Sequence, residues 1–263
     1  SRIPCAVERG RTISGVTALQ RIGRAAADFL LPSCCVACES APVAELFRGG
    51  VCTACWAALP RSLGPSCAYC DEPLPGAEAD VCGRCRIEPP PFRSLRAAAP
   101  YRGSARSILL AFKYRGADYL APRLARVAVE RIGAERNEIC RADVVTAVPA
   151  TRRARRRRGY HPAELFGKGV AARLGIRFDP RAIEKVRETP RQSGLPLGER
   201  RRNVAKAFRA RECPALRVLL VDDVATSGWT ARECAAALVR AGAAEVDVWS
   251  FARASRDDFD FTR

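Results

Sequence analysis

The chain has 263 residues, is 48% hydrophobic and carries 45 Lys and Arg against 28 Asp and Glu, a formal net charge of +17. That length can bury a substantial core, while the charge favours anionic partners and is silent about fold. No apolar run approaches the ~20 residues of a membrane-spanning helix, and the N-terminus lacks the basic, apolar and small-residue sequence of a secretion signal, so a cytoplasmic location is expected.

In chain order, Thr17–Leu30 places Leu19, Ile22, Ala26, Phe29 and Leu30 at helical spacing before Pro32 stops it. This predicts a short amphipathic helix in an N-terminal segment, residues 1–31, that packs on the next module. Residues 32–91 are rich in Cys, Pro and Gly and short of long apolar runs. They hold four CxxC pairs: Cys35/Cys38, Cys52/Cys55, Cys67/Cys70 and Cys82/Cys85. Two thiolates three positions apart in a tight turn can face one ion, and two such turns complete a tetrahedral Cys₄ zinc site. Eight ligands allow two structural zincs. Sequential pairing keeps each loop short, and interleaved pairing is the alternative. Disulfides or redox pairs are the competing chemistry, disfavoured because structural disulfides are rare in the cytosol. Cys5, Cys140, Cys213 and Cys234 stand alone and read as buried thiols. The run Glu88-Pro89-Pro90-Pro91 is a stiff connector, and the module boundary is set there.

Over residues 92–263 helical and strand patterns alternate. Helices are predicted at Ser104–Tyr114, Tyr119–Ile132, Pro162–Leu174 and Thr230–Ala241, and strands at Asp143–Val148, Ala182–Arg187, Arg217–Val221 and Val246–Phe251. This is the rhythm of an α/β fold with a mainly parallel sheet. Between Arg141 and Arg211 stand 20 Lys and Arg against 6 Asp and Glu, and Arg152–Arg158 holds six arginines in seven positions. That stretch is read as part of the loop after Val148. Arg152, Arg153, Arg155, Arg156, Arg157 and Arg158 can neutralise phosphates and Tyr160 can stack a base, the chemistry of single-stranded nucleic-acid binding. A solvated charged surface is the alternative.

The most informative segment is Val218–Thr230, VLLVDDVATSGWT. Four apolar residues suggest a central strand covered on both faces, and ligands bind at the carboxyl ends of such strands. There Asp222 and Asp223 precede Thr226, Ser227, Gly228, Trp229 and Thr230. Backbone N–H groups of a turn that opens a helix converge on an anion, and Gly228 permits close approach. The carboxylates suit the vicinal hydroxyls of a ribose one sugar-length away.

This strand, acidic pair and T-[ST]-G-x-T loop resembles the phosphoribosyl-pyrophosphate signature of type I phosphoribosyltransferases. With the cysteine module, the chain resembles the ComF family (ComFC/GntX-like) from about Leu30 to Ala254. The segments that agree are Phe112-Lys113-Tyr114-Arg115-Gly116, Val144–Pro149 with Arg158-Gly159-Tyr160, and Arg187–Leu195 followed by Arg200–Val204 and Ala207-Phe208. The chain departs at His161-Pro162, where the family has Asn-Gln, and at Trp229, where a small residue is usual. Trp229 is expected to narrow the phosphate turn or offer a stacking face.

The resemblance implies a type I phosphoribosyltransferase-like domain behind a double zinc ribbon, and a role in handling DNA during natural competence and DNA uptake. Phosphoribosyl pyrophosphate with Mg²⁺ is the expected ligand, and single-stranded DNA the expected partner. In one alternative the chain is an active phosphoribosyltransferase acting on a nucleobase or amine, with Lys113 and Arg158 as candidate cations on the leaving diphosphate. In another it is a regulator whose zinc ribbons dock a protein while the site senses nucleotide supply.

Overall fold

The computed structural model describes residues 34–40, 50–61, 64–133, 141–187 and 204–255. The predicted helix at Thr17–Leu30, residues 188–203 of the family-like run, Cys5 and Cys140 lie outside them. Two one-turn helices, α1 (Thr53–Ala57) and α2 (Gly83–Ile87), each begin just after a cysteine of their ribbon, Cys52 and Cys82. Then come β1 (Ser94–Pro100), α3 (Gly103–Tyr114), a 3₁₀ turn (Asp118–Leu120), and α4 (Ala121–Ala128) prolonged by a π turn (Val129–Gly133). These are followed by β2 (Val144–Ala147), α5 (Arg152–Arg158), α6 (Pro162–Leu174), β3 (Arg177–Phe178), β4 (Ile183–Lys185), β5 (Phe208–Ala210), β6 (Arg217–Ala225), α7 (Trp229–Arg240) and β7 (Glu245–Arg253).

The chain forms two compact units, one of Ser1–Pro60 with Arg102–Leu120 and one of Arg61–Tyr101 with Ala121–Arg263. In the first, α3 buries Ala105, Ile108, Leu109, Ala111 and Phe112, the stripe its periodicity predicts. Ser104 Oγ donates to the Ala58 carbonyl at 3.0 Å, and Arg115 pairs with Glu39.

The second unit is built on a five-stranded sheet of order β1-β7-β6-β2-β3, with every neighbouring pair parallel. This mainly parallel α/β sheet flanked by helices is the fold class expected. β4 and β5 form a separate antiparallel pair. β6 carries Val218, Leu219, Leu220 and Val221 fully buried, because helices cover both sheet faces and neither face needs polar residues. α6 lies close on one face: a Cβ on Gly167 would sit 2.7 Å from Val221 Cγ2 and 2.8 Å from Phe178 Cε2, so no larger residue fits without displacement. Phe166 meets Phe251 edge-on on that side, ring centres 6.4 Å apart. On the other face Cys234, Ala235 and Leu238 of α7 share a core with Val218, Leu220, Val246, Val248 and Leu95. Each large side chain buried there contributes about 1.5–3 kcal/mol.

Two expectations are corrected. Arg152–Arg158 is a helix and not a loop: Thr151 caps it by accepting the Ala154 N–H at 3.1 Å, and Gly159 ends it at φ +77°. A Ser/Thr cap followed by good helix formers and a left-handed glycine is a complete helix signal, masked here by the charge run. Strand β6 also runs beyond Val221 to Ala225, carrying the acidic pair inside it. The ladder to β7 continues through Asp222↔Ser250, Val224↔Ala252 and Ala225↔Arg253. Among the described residues no helix is long and apolar enough to cross a membrane.

Candidate functional site

The cysteines assemble as two sequential groups, Cys35, Cys38, Cys52 and Cys55 in one and Cys67, Cys70, Cys82 and Cys85 in the other, each with its ligand atoms within 4.8 Å of one another. A Zn–S bond of ~2.3 Å puts the sulfurs of a tetrahedral site roughly 3.8 Å apart. The Sγ atoms of Cys38 and Cys52 are 4.0 Å apart and those of Cys70 and Cys82 3.7 Å, which fits that geometry. Four thiols and no harder donor make the set suited to Zn²⁺. Backbone N–H groups already point at the sulfurs, as a buried thiolate needs: those of Ala37 and Cys52 donate to Cys35 Sγ at 3.4 and 3.2 Å. Interleaved pairing is thereby excluded.

At the carboxyl end of β6, alternation along the strand sends the two carboxylates to opposite faces. Asp222 shares the face of Leu220 and α7, where burial first and the Asp222 charge second push the Cys234 thiol well above its ordinary value. Asp223 shares the face of Val221 and α6 and is itself buried. Asp222 Oδ1 accepts the Asp223 N–H at 2.8 Å, which fixes the first carboxylate along the strand.

Residues 226–228 then turn into α7. Gly228, at φ +77°, is the N-cap and offers no side-chain acceptor, so the first N–H groups of the helix are not capped by a side chain there. Ser227 is 7% exposed, and its Oγ is buried with no hydrogen-bond partner. An uncapped helix start beside an unsatisfied hydroxyl is a donor set suited to an anion.

His161 caps α6. Its Nδ1 lies 3.1 Å from the Glu164 N–H and its Nε2 2.7 Å from the Ala150 N–H. A neutral imidazole has one lone pair to offer, so the two amides compete for it, and burial, against the opposing pull of Glu164 and Asp223, holds the ring below its ordinary pKa. The histidine is thus a capping and loop-holding group that ties the segment after β2 to the start of α6.

The arginines of α5 divide by position. Arg155 and Arg156 are exposed, whereas Arg158 and Tyr160 are half-buried; a helix turning 100° per residue cannot bring six neighbours to one face. Lys113 is in the last turn of α3, in the other unit from the acidic pair.

Trp229 is occupied by protein. Its ring has the Arg84 guanidinium 6.0 Å from its centroid and that of Arg232 at 5.3 Å. Sequence reasoning missed these arginines, and Arg253 with them. The signal was present: Arg232 stands among the core-facing Ala231, Cys234, Ala235 and Leu238 of α7, and Arg253 closes an apolar strand. A long cation on a buried face implies a buried partner.

A family model described as a double zinc ribbon domain matches residues 26–86. The DNA utilization protein YhgH of Salmonella typhimurium is 34% identical over 230 residues, 85% of this chain and 98% of that protein. Competence protein F of Haemophilus influenzae is 28% identical over 216 residues, 80% and 93% of the two chains. Among solved structures, a glutamine phosphoribosylpyrophosphate amidotransferase of B. subtilis aligns with 51% of this chain and 25% of its own, at 25% identity and a TM-score of 0.33. Two Cys₄ clusters ahead of a parallel α/β sheet, and 34% identity across nearly the whole of a DNA utilization protein, establish that the chain belongs to the ComF family.

Proposed function

We propose that the protein binds a 5-phosphorylated ribose, with phosphoribosyl pyrophosphate and Mg²⁺ as the expected pair, and engages single-stranded DNA through α5. The observation that carries the first part is the turn at residues 226–228, where a buried, unsatisfied Ser227 Oγ and a glycine-capped helix start follow the two carboxylates. The phosphate meets the turn, and the carboxylates accept from the ribose hydroxyls or face the Mg²⁺ that neutralises a diphosphate. The DNA part is supported by the exposed Arg155 and Arg156 and by relatives named for DNA utilization and competence. Binding is preferred to turnover because the chain's only histidine is engaged by backbone amides, which leaves it poorly placed as a general base.

A thermal-shift panel tests this, since a ligand that binds only the folded state raises its melting point. Phosphoribosyl pyrophosphate with Mg²⁺ is expected to raise it, and Asp222→Asn with Asp223→Asn to abolish the rise. No response to any phosphorylated ribose would remove this reading. Replacing Arg155, Arg156 and Arg157 by Ala is expected to spare the ribose-phosphate response. It should flatten the salt dependence of single-strand binding by about 0.7 in log–log slope for each phosphate the arginines no longer neutralise. Release of diphosphate on adding nucleobases or amines would show turnover in addition.

A further inference from the structure

The turn and the second zinc ribbon lie in one compact unit, and three arginines, Arg232 and Arg253 buried and Arg84 half-buried, join them. Arg253 Nε donates to the Cys70 carbonyl at 3.1 Å and its Nη1 to the Ala225 carbonyl at 3.3 Å, tying the ribbon to the last residue of β6. Arg84, one position before the ligand Cys85, donates to the Ser227 carbonyl. Arg232 Nη2 donates to Cys85 Sγ at 3.2 Å and Nη1 to the Glu88 carbonyl at 2.9 Å, while Trp229 lies beside both Arg84 and Arg232. Glu72 neutralises two of the three, pairing with Arg253 and, at 3.7 Å, with Arg84.

We propose that the second zinc ribbon sets the geometry of the phosphate turn, with Arg84 and Trp229 as positioning residues, so that zinc held by Cys67, Cys70, Cys82 and Cys85 controls affinity for the phosphate. The inference rests on the ribose-phosphate reading above and extends it to a means of control. The carbonyl of Ser227 and the N–H of Gly228 belong to one trans peptide and point in opposite directions. A guanidinium that holds the carbonyl on the ribbon side therefore aims the N–H away from the ribbon, into the turn. Arg84 can do this only while its helix is fixed, and that helix begins just after the zinc ligand Cys82 and contains Cys85. At Trp229 two guanidinium groups meet, Arg84 from the ribbon and Arg232 from α7, and the aromatic face beside them adds cation–π attraction. Its ring thus fixes the first residue of α7 from the ribbon side. Arg232, hydrogen-bonded to a zinc-binding sulfur, connects the metal's outer shell to the same helix.

The test uses the full-length, zinc-loaded protein and two readouts: amide hydrogen exchange over residues 226–230, and equilibrium dialysis with ribose 5-phosphate. Arg84→Ala and Trp229→Ala are expected to keep both zincs and to speed exchange at the turn; the first should weaken ribose 5-phosphate about tenfold, the effect of losing one charged hydrogen bond, and the second roughly two- to fivefold, the effect of losing a cation–π contact. Arg232→Ala is expected to release the second zinc to a chelator with affinity lowered roughly 10–100-fold. Cys38→Ser, which takes a ligand from the other cluster, should leave exchange at the turn unchanged. Should an alanine variant fail to fold, Arg84→Lys keeps the charge and loses the planar fork, and the same faster exchange is expected of it. Unchanged exchange in the Arg84 and Trp229 variants with both zincs retained overturns the proposal, as does an equal effect from Cys38→Ser. If wild-type protein ignores ribose 5-phosphate the ligand reading fails, and exchange alone still decides whether the ribbon sets the turn.

Discussion

In the first cysteine cluster only Cys35 is buried, Cys38 is exposed, and helix α1 buries none of its residues. In the second all four cysteines are buried and belong to the same core as Phe92, Leu95, Leu220 and Leu238. The two have the same CxxC spacing and the same ligand set. What separates them is the neighbourhood: the second offers backbone carbonyls and a sulfur as acceptors to the buried arginines Arg232 and Arg253, which belong to the sheet unit. A metal site stabilises whatever its ligands pack against, so two equal motifs are expected to have unequal consequences.

The largest test of that inequality is ligand removal. Cys82→Ser is expected to destabilise the sheet unit by about 5 kcal/mol or more, the range reached when a metal is lost from a buried core, whereas Cys38→Ser should leave that unit's denaturation midpoint nearly unmoved. Denaturant unfolding followed by Trp249, fully buried on β7, reads the difference. Equal losses would break the comparison.

Next in size is Arg253→Ala, which leaves Glu72 without its buried partner while Arg253's carbonyl acceptors lose their donor. Breaking a buried pair in this way costs about 3–5 kcal/mol. Replacing Arg253 and Glu72 together is expected to recover part of the loss, and a double-mutant cycle measures how much. Purely additive losses would show that the ribbon and the strand end are not joined through this pair.

The smallest effect lies on the opposite face of the sheet. His161 has its pKa lowered by burial, so the unfolded chain takes up a proton at higher pH than the folded one. Stability from this group is therefore complete above about 6.5 and falls as pH drops through the lowered folded value. The change is expected at the Ala150 amide and the start of α6, seen by hydrogen exchange, and not at the zinc ribbon. His161→Asn, a residue that caps helix starts well and does not titrate, should keep the cap and remove the pH dependence.

Much of this is legible in the sequence, for identifiable reasons. The eight CxxC cysteines name their ligands because two residues in a tight turn can hardly reach different ions, and the apolar run Val218–Val221 ending in two aspartates announces a buried strand with chemistry at its end. The helix Pro162–Leu174 has the bounds its sequence predicts, because a proline at its start and a glycine after its end leave little choice. Arg152–Arg158 reads wrongly as a loop because charge is a surface signal and outweighs the cap at Thr151 and the stop at Gly159.

Sequence alone thus determined the metal chemistry, the alternation of strands and helices, and the turn on which the ligand reading rests, since each depends on residues close together in the chain. Only the tertiary structure decided how the cysteines pair, that Asp222 and Asp223 face opposite sides of the sheet, and that Arg84, Arg232 and Arg253 join the second ribbon to the turn. The arginine contacts are hydrogen bonds between residues up to 183 positions apart, and a guanidinium gives no sign in sequence of which distant carbonyl will accept its hydrogen bonds.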